Sequence, residues 1–203
     1  MSYATIDDLR SHLGKKVESA PTLEYAAKML HPLPETKVVD RTEFILALVK
    51  GKRVLDFGAS GALHRDVMKV ARAYLGVDRE DGLFVRGFDL DDVTETLLPV
   101  FDDTEVILCG EVLEHLSNPG WFLTRLRAQY PGVPVLISVP NAFSTIAQSW
   151  LKKGFENVNE DHVAWYSPKT LSVLLERAGY TTGDLYYYNG HGPTSEGMIV
   201  LAE

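Results

Sequence analysis

From Arg53 onward, short apolar runs alternate with stretches whose apolar residues recur every three to four positions. That alternation predicts parallel strands joined by crossover helices. The first run, Val54-Leu55, passes through Asp56 into the turn Gly58-Ala59-Ser60-Gly61. Leu63, Val67, Val70, Ala71 and Tyr74 then keep helical spacing, which leaves His64, Arg65, Asp66 and Lys69 facing solvent. Tyr74 to Val77 predicts a second strand ending at Asp78, Phe84 to Phe88 a third, Val106 to Cys109 a fourth, and Val135 to Val139 a fifth stopped by Pro140. A short helix is expected over Val93 to Val100. Another opens at Asn118-Pro119, where proline's missing N–H does no harm, and turns Phe122, Leu123 and Leu126 inward. Ser167-Pro168 starts a helix with Leu171, Leu174, Leu175 and Ala178 on one face, and Asp184 to Tyr188 and Met198 to Leu201 close the chain as two strands.

Two regions stand outside this rhythm. Three short helices are expected in the first fifty residues: one capped by Thr5, one over Leu23 to Leu30, and one over Phe44 to Val49 behind the capping pair Asp40 and Glu43. Residues 1–50 therefore read as a helical extension and 51–203 as the main domain. The second region, Asn141 to Tyr166, has no clear element except Ile146 to Leu151. Connections this long in compact domains are usually functional or mobile, and Trp150, Lys152, Lys153 and Phe155 are candidates for a lid or acceptor wall.

Composition narrows the partners. The chain has 203 residues, 45% hydrophobic and 24% charged, which fits one full domain with a sizeable core. A net charge of −8 argues against an extended nucleic-acid surface, which would need clustered Lys and Arg. Cys109 is the single cysteine, so no internal disulfide forms. With no 18-residue apolar run and no signal-like start, the expectation is a cytoplasmic protein that makes no membrane contact.

The turn after the first strand carries the chemistry. Glycines there let backbone pass close to a ligand, and the helix that follows points free N–H groups at it, so a nucleotide-like occupant is expected. A dinucleotide fingerprint would need three glycines in G-x-G-x-x-G, whereas Gly58 and Gly61 are followed by none until Gly76. Taken with YLGVD ending in Asp78, VILCGEVLEHLSNP after strand four, and EDHVAWYSPKTLSVLLERAGY, the stretch VLDFGASG resembles the class I S-adenosylmethionine-dependent methyltransferases, especially the ubiquinone-pathway and small-molecule type. The resemblance spans about Val39 to Glu203. It implies a Rossmann-like α/β fold: a mostly parallel sheet with an antiparallel C-terminal strand and helices on both faces. It also implies S-adenosylmethionine as cofactor and small-molecule or sugar-like O-methylation as the activity. Two alternatives are a degenerate S-adenosylmethionine-binding partner module and a metal-dependent RNA terminal 2′-O-methyltransferase.

The resemblance also assigns residues. Asp56, Gly58, Ser60 and Gly61 would hold the methionine end of the cofactor and Asp78 the ribose hydroxyls, 22 residues after Asp56. Asp89, preferred over Asp91, would meet the adenine amino group with Leu90 against the ring, and Cys109 and Gly110 would lie beneath the cofactor. The family turn is D-x-G-x-G-x-G. This chain lacks the middle glycine or is one residue shorter, and Ser60 brings a Cβ to where the backbone approaches the cofactor's carboxylate end. On a helical turn, Glu111, Glu114 and His115 would share one face. His115 is expected in the substrate site, and His162 is expected to take a proton from an attacking hydroxyl. No metal is expected. The option, suggested by relatives that use Glu-x-x-Glu-His for Mg²⁺ or Mn²⁺, is Glu111, Glu114, His115 and His162.

Overall fold

A computed structural model describes residues 28, 29, 31–92 and 97–203. The chain divides into two compact units, Met1–Leu33 and Pro34–Glu203. In the first, Lys28 and Met29 are helical and residues 31–33 are irregular; the helix expected behind Thr5 lies outside the described residues, as does most of the one over Leu23 to Leu30. The second unit carries the sheet. Part of the helix expected over Val93 to Val100 is likewise outside the described residues, and 97–100 are not helical.

The elements run α1 (Arg41–Val49), β1 (Arg53–Phe57), α2 (Gly61–Val70), β2 (Ala73–Asp78), β3 (Val85–Gly87), β4 (Val106–Gly110), α3 (Pro119–Gln129), β5 (Val135–Pro140), α4 (Thr145–Leu151), α5 (Pro168–Arg177), β6 (Thr182–Tyr188) and β7 (Gly197–Ala202). One seven-stranded sheet has the order β3-β2-β1-β4-β5-β7-β6, with β7 antiparallel to both of its neighbours and the other pairings parallel. This is the expected Rossmann-like architecture.

Side chains alternate between the two faces of a strand, so a sheet covered on both sides needs apolar residues at nearly every position. The central strands meet that demand. Leu55, Phe57, Ile107, Cys109, Val135 and Ile137 face a core closed by α3 and α5, whereas Val54, Val106, Leu108 and Leu136 face a core closed by α1 and α2. By the same alternation Asp56 and Ser138 point to the α1 and α2 side, which decides what they meet.

Helix starts are set locally. Asp40 accepts from the Glu43 amide at 2.8 Å to begin α1, Asn118 accepts from Trp121 ahead of α3, and Ser144 caps α4. Ser167 and Thr170 form a reciprocal capping box on α5. The helix α1, expected in the N-terminal extension, packs within the sheet unit through Ile45 and Val49, both fully buried. Contacts therefore divide the chain between Leu33 and Pro34 rather than at residue 50.

Candidate active site

The strand order reverses between β1 and β4, and in an open α/β sheet the crevice outside the carboxyl ends of such strands is where ligands bind. A cleft of about 720 Å³ lies there. Asp56, Gly58 and Ser60 reach it from the first turn, Asp78 from the end of β2, Asp89 and Leu90 from beyond β3, and Gly110 from the end of β4. These are seven of the nine residues expected to hold the cofactor. Gly61 and Cys109 do not line the cleft. Cys109 faces the α3 and α5 core, fully buried, and burial pushes its thiol well above the ordinary range. It is a small apolar filler beneath the site.

Asp56 is 4% exposed, and its Oδ2 accepts from the Tyr74 hydroxyl at 2.6 Å. Burial pushes its carboxyl up to about 7, with Asp78 adding to the shift and Tyr74 and Arg41 opposing it. The Tyr74 oxygen in turn lies 2.5 Å from Nδ1 of His64. A tyrosine has one hydroxyl proton. When Asp56 is ionised that proton goes to it, so Nδ1 of His64 is then the donor and a chain runs from His64 through Tyr74 to Asp56. Helical spacing puts His64 on the solvent side; it is instead half-buried at the cleft wall, and burial followed by Arg65 pushes its pKa down.

The turn fits a close-approaching ligand. Gly58 has φ +75°, and a Cβ there would stand 2.5 Å from Cγ2 of Val112, so only glycine is accommodated. Gly61 has φ +69° with open space around it, so its requirement is conformational alone. Ser60 is extended (φ −131°, ψ 164°), and its hydroxyl, beside the cleft, makes no cap on α2. Between the two acids after β3, Asp91 is engaged by the Ser117 amide and hydroxyl, whereas among the described residues Asp89 accepts only from the Asp91 amide through Oδ1. Asp89 thus keeps the freer carboxylate.

The Glu-x-x-Glu-His segment is not the single-faced helical turn expected. Only Leu113–His115 forms a short 3-10 turn, and Glu111 takes φ +58°, a strained conformation for a residue with a side chain. Glu111 is held by partners of its own. Its Oε1 accepts from the Tyr188 hydroxyl at 2.5 Å and lies 3.9 Å from Arg41. Arg41 donates to Ser138 Oγ at 2.9 and 3.1 Å and lies over the Tyr188 ring. Arg41 and Glu111 line both the cleft and a second cavity of about 510 Å³, on whose wall His162 stands.

Glu114 goes inward. It is fully buried, and neither carboxylate oxygen has a hydrogen-bond partner among the described residues. Burial pushes its pKa up to about 8; Glu111 adds to this, and its own amide and Arg41 oppose it. Its carbonyl accepts from the amides of Val163 and Ala164, tying down the long segment near His162. The rings of His115 and His162 meet edge to face at 4.6 Å. One ligand atom from each of Glu114, His115 and His162 lies within 4.8 Å of the others. The four-residue metal option thus contracts to three, without Glu111. Burial, followed by His115, pushes the His162 pKa down. Trp150 and Phe155 pack edge to face at 6.0 Å and line neither cavity; Ile146 and Trp165 line the second one instead.

Residues 29–183 match the family described as a methyltransferase domain, and the chain belongs to that family. It is a class I S-adenosylmethionine-dependent methyltransferase. A curated relative, the ubiquinone biosynthesis O-methyltransferase of Aromatoleum aromaticum, is 25% identical over 180 residues, covering 78% of this chain and 75% of that protein. In fold, the chain is similar to an S-adenosylmethionine-dependent methyltransferase from Archaeoglobus fulgidus (TM-score 0.59, 15% identity, 79% of this chain and 93% of the other). It is also similar to the small RNA methyltransferase HEN1 (TM-score 0.62, 16% identity, 86% and 27%). No helix among the described residues is long and apolar enough to cross a membrane.

Proposed function

We propose that this methyltransferase acts on an oxygen of a small-molecule or sugar-like acceptor. The observation that supports it is the sharing of Arg41 and Glu111 by the cofactor cleft and the second cavity, which gives an acceptor its own compartment adjoining the cofactor's. The cleft fits S-adenosylmethionine: a glycine cradle that a Cβ would fill, one buried acid at the turn, and acids at the end of β2 and after β3. When bound, the cofactor supplies a methyl group on a sulfonium, a good leaving group. The protein's part is then mainly alignment. In this reading ionised Asp56, held by Tyr74, faces the methionine end, Asp78 accepts from the ribose, and Asp89 with Leu90 frames the adenine. Neutral His162 offers a ring nitrogen for the acceptor's hydroxyl proton, and His115 braces its ring.

A second reading is favoured by Glu114. A buried carboxyl without partners, beside two imidazoles, is a donor set suited to a divalent cation of the Mg²⁺ or Mn²⁺ class, held by Glu114, His115 and His162. Such a cation would supply acidity to an acceptor hydroxyl. Calorimetry with S-adenosylhomocysteine, followed by methyl transfer to pooled hydroxylated metabolites with and without chelator, separates the readings. Activity that survives chelation removes the metal, activity abolished by it removes His162 as the base, and product binding without any turnover supports a partner module. Absence of product binding at millimolar concentration sinks the enzyme reading.

A further inference from the structure

The second cavity has a chemistry of its own. Most of its wall comes from the stretch after β5, the segment 157–165 and the β6–β7 turn, and none of those wall residues lines the cofactor cleft, which Asp161 of the same segment reaches instead. Three wall residues, Asn157, Asn189 and Glu196, have side chains that hydrogen-bond to nothing among the described residues, and Oε2 of Glu111 is also without a partner. Asn141 differs: its amide donates to the carbonyls of Pro193 and Ser195 and accepts from Phe143, so it builds the wall and has little left for a ligand. With the Asn159 amide nitrogen, the Trp165 indole N–H and the His162 ring on the same wall, the cavity offers both acceptors and donors to a ligand, and a hydroxyl, which donates and accepts, serves both.

Charge narrows the class further. Glu111 and Glu196 face the cavity against one guanidinium, and Arg41 is already engaged with Ser138 and stacked on Tyr188. A phosphorylated or carboxylated ligand would meet two carboxylates. Trp165, 41% exposed, and Val158, 38% exposed, add apolar surface to the same wall. A flat diphenol could use that surface but brings two hydroxyls to a wall with four open polar side chains, Asn157, Asn189, Glu196 and Glu111, so a ring with more hydroxyls pairs more of them.

Resting on the reading of this chain as an O-methyltransferase, we propose that the second cavity is the acceptor site and that it takes a neutral, hydroxyl-rich ring, a sugar or cyclitol. In the reaction, one ligand hydroxyl oxygen gains the methyl carbon, the carbon–sulfur bond breaks with its electron pair staying on sulfur, and the hydroxyl proton passes to a base of the protein or to solvent.

The test is a calorimetric and tryptophan-fluorescence titration of the full chain saturated with S-adenosylhomocysteine. The probes are neutral methyl hexosides, myo-inositol, glucose 6-phosphate, glucosamine and 3,4-dihydroxybenzoate. Neutral polyols should bind at millimolar concentration or tighter. Asn157→Ala and Glu196→Gln should each weaken them about fivefold, the size of one lost hydrogen bond, with affinity for S-adenosylhomocysteine unchanged. Trp165→Phe should remove most of the fluorescence response. Preference for the phosphate, the amine or the dihydroxybenzoate overturns the assignment, as do two substitutions without effect or no polyol binding by the product-loaded protein. Failure to bind S-adenosylhomocysteine itself is a different result and overturns the enzyme reading beneath.

Discussion

Replacing Tyr74 with Phe tests the reading of the cofactor cleft at its most buried point. The hydroxyl lost is a hydrogen-bond donor to Asp56, and Asp56 has a pKa pushed up to about 7. If the ionised carboxylate is the form that receives the cofactor's cationic methionine end, only about a tenth of the protein is competent at pH 6 and about nine tenths at pH 8. Apparent affinity for S-adenosylhomocysteine should then rise about tenfold across that interval. A hydrogen bond to a charged group contributes about 1.5–3 kcal/mol, so Tyr74→Phe should move the midpoint up by about one pH unit or more. At pH 7 that amounts to at least about fivefold weaker binding. Stability runs the opposite way with pH. Because the folded pKa exceeds the usual carboxylate value, the native state holds the extra proton; the stabilisation is fully present below about pH 4 and is lost as pH rises through 7. Calorimetry at half-unit steps from about pH 5.5 to 8.5 reads the midpoint. His64→Ala serves as control, since it leaves the Tyr74 to Asp56 bond in place. An affinity flat with pH in the wild type, or a Tyr74→Phe curve that overlays it, refutes the reasoning.

Three further outcomes are expected. Gly58→Ala should cost about 2–3 kcal/mol in urea unfolding, because it adds a clash with Val112 to an unfavourable φ, whereas Gly61→Ala, with open space, should cost about 1 kcal/mol; equal costs would remove the packing argument. Glu114 keeps a proton in the native state up to about pH 8, so its contribution to stability is lost as pH rises from the usual carboxylate range through 8. Melting curves of Glu114→Gln should be flatter over that range than the wild type's, and Mn²⁺ should raise the wild-type melting temperature but not that of His162→Ala if the three-residue donor set binds metal.

What could be read from the sequence was what depends on near neighbours. Strand and helix order, the caps at Asp40, Asn118 and Ser167, and the glycine turn are set by residues within a few positions of one another, and the seven cleft residues follow because they lie at or just beyond strand ends around the point where strand order reverses. Helical periodicity failed where a helix flank meets another element. It reports which side of α2 faces the sheet, but His64 stands at the margin of that side, and only the return of the chain as β2 brings Tyr74 to it. The spacing of Glu111 and Glu114 misled for a related reason: it assumes continuous helix, and the left-handed backbone at Glu111 breaks the phase.

Arg41 shows why the remainder was hidden. Its partner Ser138 is 97 positions away, and the Tyr188 that holds Glu111 is 77 positions from it. No local pattern marks either pair; strand alternation shows only that Ser138 faces the α1 side. Yet Arg41 and Glu111 stand between the two cavities and set the charge on both. Arg41 opposes the upward pKa shifts of both Asp56 and Glu114, one at the cofactor end and one beside the histidines. One guanidinium thus biases two buried carboxyls toward ionisation, and a change at α1 would register at both sites.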